Sequence, residues 1–278
     1  MDESNSGQTD PSESKAGKGR TGERTVGKPV GAVIAAAAVI RVLHRAERPL
    51  KASDVAREAG LHRGTAFNIL RTLQREGYVT YNERDRTYSV GILILELAHG
   101  VLLASGLLDV VRPEMFSLAE RVGVTVAIGK VTEDKDLILL DFVGGTLRID
   151  SYFSVGRRSR RFSGASGLVM AAFSGASIEL VKEQYEYTEW FRRPPLDEYL
   201  ERLEQTRKQG FSLDQGNRRS GLTQVAVPIF SQSGALTLVL TAADFSYAMD
   251  DERISLVARE MLAFSHRMSA ESGRLRLP

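Results

Sequence analysis

The stretch LHRGTAFNILRTLQREGYV, from Leu61 to Val79, decides the fold of the first part of the chain. After a turn at Gly60 and Leu61, the spacing of apolar residues predicts a helix from Arg63 to Glu76. Its apolar face is predicted to consist of Phe67, Ile69, Leu70 and Leu73. A strand follows directly after Gly77. The pattern fits either an ordinary surface helix or a helix that reads DNA, and the flanking sequence bears on the choice.

Two further helices precede this stretch, and two strands follow it. The first helix is predicted from Val30 to about Ala46, and DVAREAG forms a second, short helix that Ser53 is expected to cap. The segments YVTYN and RTYSV read as strands joined by the charged tip ERD. Three helices and a two-stranded wing predict a winged helix-turn-helix over residues 28–90.

Positive charge is concentrated in this part of the chain. Residues 28–90 hold eleven lysines and arginines against six acidic residues, whereas the whole chain has a net charge of only +2. A basic segment joined to a nearly neutral one is typical of a polyanion-binding module attached to a second domain. An arginine-rich solvated surface has the same composition, so charge alone leaves both interpretations open.

The composition limits the class of protein. The chain of 278 residues is long enough for two domains and contains no cysteine, which excludes disulfides and cysteine-based zinc sites. Residues 1–27 are rich in Ser, Gly, Glu and Lys and are predicted to be a disordered tail. The longest apolar run, from Val30 to Ile40, is too short to span a bilayer and does not resemble a secretory signal. We therefore expect a cytoplasmic protein without a membrane partner.

The helix from Arg63 carries the side chains that a reading helix needs. In a helix-turn-helix the second helix lies in the major groove, where Arg and Asn make paired hydrogen bonds to guanine and adenine. A basic wing tip suits contact with phosphates or the minor groove. The candidate DNA-binding residues are Ser53, His62, Arg63, Gly64, Thr65, Asn68, Arg71, Arg84 and Arg86. A winged helix used for protein contact is left open as the alternative.

An apolar helix is predicted next, from Gly91 to Gly106, in the segment GILILELAHGVLLASG. It is too apolar to be left exposed to water. It is therefore either a linker helix covered by a partner chain, which is the preferred interpretation for residues 91–106, or part of the next core.

Residues 107–278 alternate between helical and strand-like patterns. The strand-like segments are GVTVAIGKV, DLILLDFV, TLRIDSYF, GFSLD, LTQVAVPIF and ALTLVLTAA. Helices are predicted for Asp109–Arg121, for part of RFSGASGLVMAAFS, and for Ser177–Tyr185, Leu196–Gln209 and Asp250–Met268. Strands surrounded by helices predict one α+β domain with a pocket against its sheet.

Sequence features of catalysis are weak. The four histidines are scattered without metal-ligand spacing, and neither a GxxxxGK(S/T) motif nor a strand–GxGxxG–helix pattern occurs. The segment SGASG places Ser166 in a turn before a helix, but Leu168 stands where a nucleophile elbow has its second glycine. We expect neither an enzyme nor a cofactor. The alternative is a small-molecule-processing enzyme with an accessory winged helix, centred on Ser166 or Asp214.

The same Gly- and Ser-rich loop suits a ligand. Residues 163–167 lead into a helix whose first backbone N–H groups lack partners and so favour a carboxylate or another small anion. A plain helix start capped by Ser163 is the alternative. The preceding GRRSRRF segment, interpreted mainly as a solvated basic edge, contains Arg157, Arg158, Arg160 and Arg161.

Taken together, these motifs resemble the IclR family of bacterial transcriptional regulators. Gly60–Val79 is similar to the family's reading-helix segment, DRTYSVG to its wing and GILILELA to its linker helix. Two later segments, VGRRSRRFSGASG and RKQGFSLDQGNRRSGLTQVAVPIF, are similar to parts of its C-terminal domain. The likeness covers nearly all of the chain after the tail. It departs from the family where Gly216 and Asn217 replace acidic residues and Arg218 and Arg219 follow them.

The resemblance implies a C-terminal, GAF-like effector-binding domain over residues 107–278 that binds a small organic acid. It also implies a homodimer or tetramer on double-stranded operator DNA. Carried over by position, the effector-binding residues are Ala165, Ser166, Asp214, Gln224 and a residue near Thr241 or Ala242, for which Thr241 is taken. The expected function is a DNA-binding transcriptional regulator whose operator affinity depends on that acid. A regulator whose sensor domain serves assembly only is left open.

Overall fold

The computed structural model describes residues 28–46, 48–144, 152–159 and 162–273, without the side chains of residues 99 and 101–105. The predicted tail over residues 1–27 lies outside the described residues. The chain divides into two compact units, Met1–Leu95 and Glu96–Pro278. The finer division into residues 28–90, 91–106 and 107–278 stays a prediction.

The described residues before position 91 form three helices and a three-stranded antiparallel sheet. The helices are α1 (Gly31–Arg45), α2 (Ala52–Glu58) and α3 (Arg63–Arg75). The strands are β1 (Leu50–Lys51), β2 (Val79–Asn82) and β3 (Thr87–Val90), in the order β1-β3-β2. The predicted winged helix-turn-helix is confirmed. Its sheet contains one strand that was not predicted, because Leu50 and Lys51 pair with β3.

The core of this unit shows which face of α3 is buried. Ala66, Leu70 and Leu73 recur at helical spacing and are buried, and Ile69 is half-buried. The prediction that Phe67 belongs to this face is wrong, because its side chain is 45% exposed. Each residue turns a helix by about 100°, so Phe67 lies to one side of the buried position that Ala66 occupies.

The starts of α2 and α3 differ in how they are capped. The prediction that Ser53 caps α2 is wrong: the helix begins at Ala52, with Lys51 in the N-cap position and no capping side chain. Because β1 ends at Lys51 and the helix follows at once, Ser53 already lies inside the first turn. At the start of α3, His62 Nδ1 accepts a hydrogen bond from the backbone N–H of Gly64 at 3.3 Å.

Two consecutive helices follow the wing, namely α4 (Leu93–Ser105) and α5 (Leu107–Val122). The apolar helix predicted from Gly91 to Gly106 is confirmed with slightly shorter bounds. Ile92, just before it, and Leu95 and Leu97 within it are 69%, 64% and 49% exposed. These side chains therefore do not belong to a core of this chain, and their burial against a partner chain stays a prediction.

A six-stranded antiparallel sheet with helices on both faces forms the described part of the second unit. Its order is β6-β5-β4-β9-β8-β7. The strands are β4 (Thr125–Val131), β5 (Leu137–Val143), β6 (Arg158–Ser159), β7 (Ser212–Gln215), β8 (Leu222–Phe230) and β9 (Leu236–Phe245). The remaining helices are α6 (Gly164–Phe173), α7 (Ile178–Tyr187), α8 (Leu196–Gln209) and α9 (Asp251–Glu271).

Side chains along the strands point alternately to the two faces of the sheet, and they form two hydrophobic cores, one on each face. Val225 and Val227 of β8 pack in one core with residues of α5 and α9, whereas Ala226 packs in the other with residues of α6, α7 and α8. This division follows because successive side chains of a strand point to opposite faces. The predicted α+β architecture is confirmed.

Other sequence predictions for the second unit differ from the structure or lie outside the described residues. The predicted strand TLRIDSYF lies mostly outside the described residues, and its last two residues, Tyr152 and Phe153, do not lie in a strand. The basic segment after Gly156 forms the two-residue strand β6, while Arg160 and Arg161 lie outside the described residues. Searched over the described residues, no helix combines the length and apolar character that a membrane crossing needs.

Candidate functional site

The outer face of α3 is the first candidate site. Its exposed residues include Arg63, Gly64, Thr65, Asn68 and Arg71. Arg75, at the far end of the helix, pairs with Glu76 at 3.0 Å. Within the described part of the chain, neither Arg63 nor Arg71 forms such an ion pair. This face therefore presents unneutralised cations and a side-chain amide to the solvent.

Two residues at this site have roles that sequence reasoning missed. His62 caps α3 with its Nδ1 atom and so positions the helix, and Phe67 is an exposed aromatic residue whose ring centre lies 6.0 Å from the Arg71 guanidinium carbon. Phe67 stands four residues from both Arg63 and Arg71, a spacing that places all three on one helix face. That spacing was the signal available in the sequence. An exposed aromatic ring there can contact a thymine methyl group.

The wing tip is held by a side-chain turn. The Asn82 Oδ1 atom accepts hydrogen bonds from the backbone N–H groups of Arg84 at 3.0 Å and Asp85 at 3.4 Å. The Asn82 amide donates to Asp85 Oδ2 at 3.1 Å. Arg86 follows with a φ of 54°, in the left-handed region. Both arginines are exposed, so the turn presents two cations on a defined backbone. Ser53 is likewise exposed, on α2.

The second candidate site is a cavity of about 310 Å³ in the second unit. It is lined by parts of β4 and β5, by the start of α6 and by side chains from residues 152–159 and 218–219. Ser166, Gln224 and Thr241 of the sequence-predicted effector residues line it, whereas Ala165 and Asp214 do not. Ala165 is fully buried, and its carbonyl accepts a hydrogen bond from the Ser212 hydroxyl at 2.6 Å.

The start of α6 opens onto this cavity. Ser163 occupies the N-cap position and lines the cavity, but its side chain makes no capping hydrogen bond, so the alternative of a Ser163-capped start is wrong. A Cβ atom added at Gly167 would lie 2.2 Å from the Phe162 carbonyl carbon, which shows how closely the helix packs on its own loop. The first N–H groups of a helix lack intrahelical acceptors, so this end of α6 suits an anion.

Asp214 supports the cavity without lining it. Its carboxylate accepts hydrogen bonds from the backbone N–H groups of Asn217 at 2.9 Å and Arg218 at 3.2 Å. These bonds close the turn that leads to Arg219. Burial raises the pKa of Asp214, and the two hydrogen bonds and nearby arginines offset this only in part. We infer that Asp214 positions the turn.

The raised pKa predicts how Asp214→Asn changes the dependence of stability on pH. As the pH falls through the folded-state pKa, the folded wild type takes up a proton before the unfolded chain does, and it gains stability that the variant lacks. The free energy of unfolding of the wild type minus that of Asp214→Asn should therefore increase on acidification from neutral pH. The measurement is urea unfolding followed by fluorescence of Trp190, the single tryptophan. Asp134→Asn, on an exposed turn, controls for the lost charge, and a difference independent of pH contradicts the prediction.

Arginines dominate the charge of the cavity. Those that line it are Arg157, Arg158, Arg218 and Arg219. The Arg158 guanidinium pairs with Asp136 at 2.6 Å, and Arg218 donates a hydrogen bond to the Glu189 carbonyl at 2.6 Å. Arg157 and Arg158 are exposed, as expected of a solvated edge. They nevertheless contribute to the wall of the cavity, so a solvated edge describes them only in part.

The cavity has little of what covalent catalysis requires. No histidine occurs among the described residues that line it, and His266 is exposed on α9. A serine nucleophile needs a base within hydrogen-bonding reach, and within the described residues the Ser166 hydroxyl forms no hydrogen bond to a basic group. In the described residues, no group of three or more His, Asp or Glu could hold a metal ion.

Comparisons with known proteins identify the class. Two family models match the chain: the IclR helix-turn-helix domain over residues 32–83, and the bacterial transcriptional regulator IclR C-terminal domain over residues 99–270. The HTH-type transcriptional regulator XynR of Escherichia coli is 27% identical over 210 residues, which are 74% of this chain and 82% of that protein.

Solved structures agree with the architecture. An IclR transcriptional regulator from Alicyclobacillus acidocaldarius has a TM-score of 0.76 at 23% identity, over 88% of this chain and 100% of that one. An IclR homologue from Microbacterium hydrocarbonoxydans, complexed with 4-hydroxybenzoate, has a TM-score of 0.69 at 20% identity, over 86% of this chain and 99% of that one.

The fold defines a helix-turn-helix transcriptional regulator with an α+β C-terminal domain. The chain belongs to the IclR family of bacterial transcriptional regulators, because the family models together match most of its length. The resemblance that the sequence motifs suggested is confirmed. This family consists of transcriptional regulators and not of enzymes, so the alternative of a small-molecule-processing enzyme is set aside.

Proposed function

We propose that this regulator binds operator DNA through α3 and the wing, and that a small anionic organic acid bound in the C-terminal cavity changes its affinity for that DNA. The observation that carries the proposal is the cavity, which opens at the start of α6 and is lined by arginines. The relative complexed with 4-hydroxybenzoate supports an organic acid as the class of ligand. Such an acid alters operator affinity only if it binds two arrangements of the protein with different affinities.

Within this proposal, the predicted residues divide by role. Ser166, Gln224 and Thr241 contact the acid, since their side chains line the cavity. Ala165 contributes backbone at the first turn of α6, and Asp214 holds the neighbouring turn. The DNA-binding roles of the α3 and wing residues are proposed on their exposure and charge.

We further infer that the regulator acts as a homodimer or a tetramer. Apolar side chains are exposed near the start of α1 and near the start of α4, and they include Val30, Val33, Ile34, Ile92 and Leu95. Exposed apolar residues in such groups favour burial against another chain. A dimer would present two copies of α3 to half-sites about one helical turn of DNA apart.

The test uses the full chain and fluorescence anisotropy. A duplex is first recovered by selection from a random pool, and its affinity is then measured with and without benzoate, 4-hydroxybenzoate or succinate at constant ionic strength. We expect two chains for each pair of half-sites and a change in operator affinity of at least about fivefold with one of the acids. Failure to select any duplex contradicts the DNA-binding role. Selective DNA binding that no acid alters, without thermal stabilisation by any acid, would indicate a domain used for assembly only.

The wing arginines should affect affinity through their interaction with phosphates. The slope of log affinity against log salt is measured by anisotropy over about 50 to 200 mM salt. Affinity falls with salt, so this slope is negative, and Arg84→Ala and Arg86→Ala are each expected to make it shallower by about 0.9 for every phosphate that the variant leaves unneutralised. Arg259→Ala, at an exposed position on α9, controls for the change of net charge. A slope that stays at the wild-type value in both variants means that the wing does not contact DNA.

A further inference from the structure

Among the described residues, the positive charge that lines the cavity exceeds the negative charge that could neutralise it. Four arginines and one glutamate, Glu189, line it among the described residues, and Asp136 pairs with one of the arginines. Counting both acids leaves a surplus of two positive charges. Asp214 is buried outside the lining, where the backbone N–H groups of Asn217 and Arg218 engage its carboxylate. The positive charge of Arg218 acts on that carboxylate, so counting Asp214 as well leaves a surplus of one positive charge among the described residues.

Arg157 and Arg219 carry this surplus. Arg219 is half-buried, and its guanidinium carbon lies 5.3 Å from the ring centre of Tyr152. Burial, followed by the positive charges of Arg157 and Arg218, lowers the pKa of Arg219. Among the described residues, neither Arg157 nor Arg219 forms a salt bridge. Cations held near each other in this way are stabilised by a bound anion.

The backbone fixes where these two cations lie. The Arg157 carbonyl accepts a hydrogen bond from the N–H of Leu139 in β5 at 3.0 Å. The Arg219 carbonyl accepts a hydrogen bond from the N–H of Leu222, at the start of β8, at 3.4 Å. Both arginines therefore belong to segments anchored to the sheet, and a ligand would not have to order a free loop to reach them.

The same cavity also contains the start of α6, which attracts an anion by a different means. Ser163 and Ser166 line the cavity there, and the partial positive charge of a helix N-terminus favours an acidic group. Leu137, Leu139 and Phe153 supply apolar lining in the same space. A ligand with a single acidic group would satisfy either the helix start or the arginine pair, and it would leave the other unneutralised.

We propose that the ligand is a dianion with two separate acidic groups on an apolar skeleton, one bound at the start of α6 and the other by Arg157 and Arg219. The inference rests on the proposed function, since it concerns the ligand of the same cavity. It narrows the class from organic acids in general to dicarboxylates and acids of equivalent charge.

The experiment compares matched pairs of acids that differ by one carboxylate: benzoate with terephthalate, and butyrate with succinate. Binding to the full chain is measured by calorimetry at constant ionic strength. We expect the diacid of at least one pair to bind about tenfold or more tighter than its monoacid, as one charge-assisted interaction provides. In Arg219→Gln and in Arg157→Gln this preference should fall to about twofold or less, because the second carboxylate loses its partner.

Two further variants separate binding from folding. Arg219→Lys keeps the positive charge and should retain part of the preference, whereas Arg259→Gln, on exposed α9, should behave as the wild type. Equal affinity of the wild type for the two members of both pairs overturns the dianion inference and leaves the proposed function intact. A preference that survives in both glutamine variants also overturns it. If none of the four acids binds, the proposed function fails, and the inference fails with it.

Discussion

Tryptophan in place of Ser166 should abolish the change in operator affinity that an organic acid produces, while the unliganded protein binds its operator as before. Ser166 lies in the first turn of α6 and lines the cavity of about 310 Å³. An indole at this half-buried position would occupy the space of the ligand and would cover the N–H groups at the start of the helix. Helix α3 belongs to the other compact unit and is not altered.

The effect on acid binding should be large. We expect the Kd of the acid to rise at least about a hundredfold, which corresponds to about 2.7 kcal/mol. Calorimetry measures the acid, and anisotropy measures the operator. Ser166→Ala, which leaves the space open, should retain most of the binding, and Ser233→Trp, on the exposed turn between β8 and β9, controls for the added ring. A response to the acid that persists in Ser166→Trp would place the ligand elsewhere.

Elements with strong local signals could be predicted from the sequence. Helix α8 occupies its predicted range, since Asp197 and Glu198 stand in its first turn, Arg207 and Lys208 in its last, and Gly210 follows at a positive φ. The strand β1 was missed because its two residues carry no periodicity of their own. It exists through pairing with β3, and that partner lies more than thirty residues further along the chain.

In the cavity, too, some residues could be predicted from the sequence, whereas others are brought together only by the tertiary structure. The positions of Ser166, Gln224 and Thr241 could be taken from the family resemblance, and all three line the cavity. Arg157 and Arg219 could not be placed together, because they are about sixty residues apart in the chain and meet through the fold of the sheet. Whether these side chains bind a ligand stays a prediction.

The reading helix illustrates an ambiguity that local rules cannot resolve. Phe67 stands three residues before Leu70 and four before Arg71, so helical spacing is compatible with either the buried or the exposed face. The small residue Ala66 decides the matter, since it takes the buried position against the other helices. An alanine gives a weaker apolar signal than a phenylalanine, which explains why the sequence pattern pointed to the wrong residue.

Alanine in place of Arg63 or Asn68 should relax the choice of bases at the operator positions that these side chains contact. Both residues are exposed on the outer face of α3, and neither side chain is committed to a salt bridge within the described residues. Each paired contact to a base edge contributes about 1–3 kcal/mol of discrimination, so we expect the preferred base to lose about five- to 150-fold of its advantage. Anisotropy on the selected duplex and its single-base variants measures that advantage at each position.

The loss of affinity for different duplexes shows whether Arg63 and Asn68 contact base edges or phosphates. Replacing a base-reading residue removes discrimination at one or two positions and leaves the affinity for unrelated DNA almost unchanged, because phosphate contacts supply most non-specific binding. Arg75→Ala is the matched control, since Arg75 stands on the same helix but pairs with Glu76. Its base preferences should equal those of the wild type. If Arg63→Ala and Asn68→Ala weaken binding equally on every duplex, both residues bind phosphates and do not contact base edges. The base sequence would then be recognised by other side chains of α3, and Phe67 would be the first of these to replace.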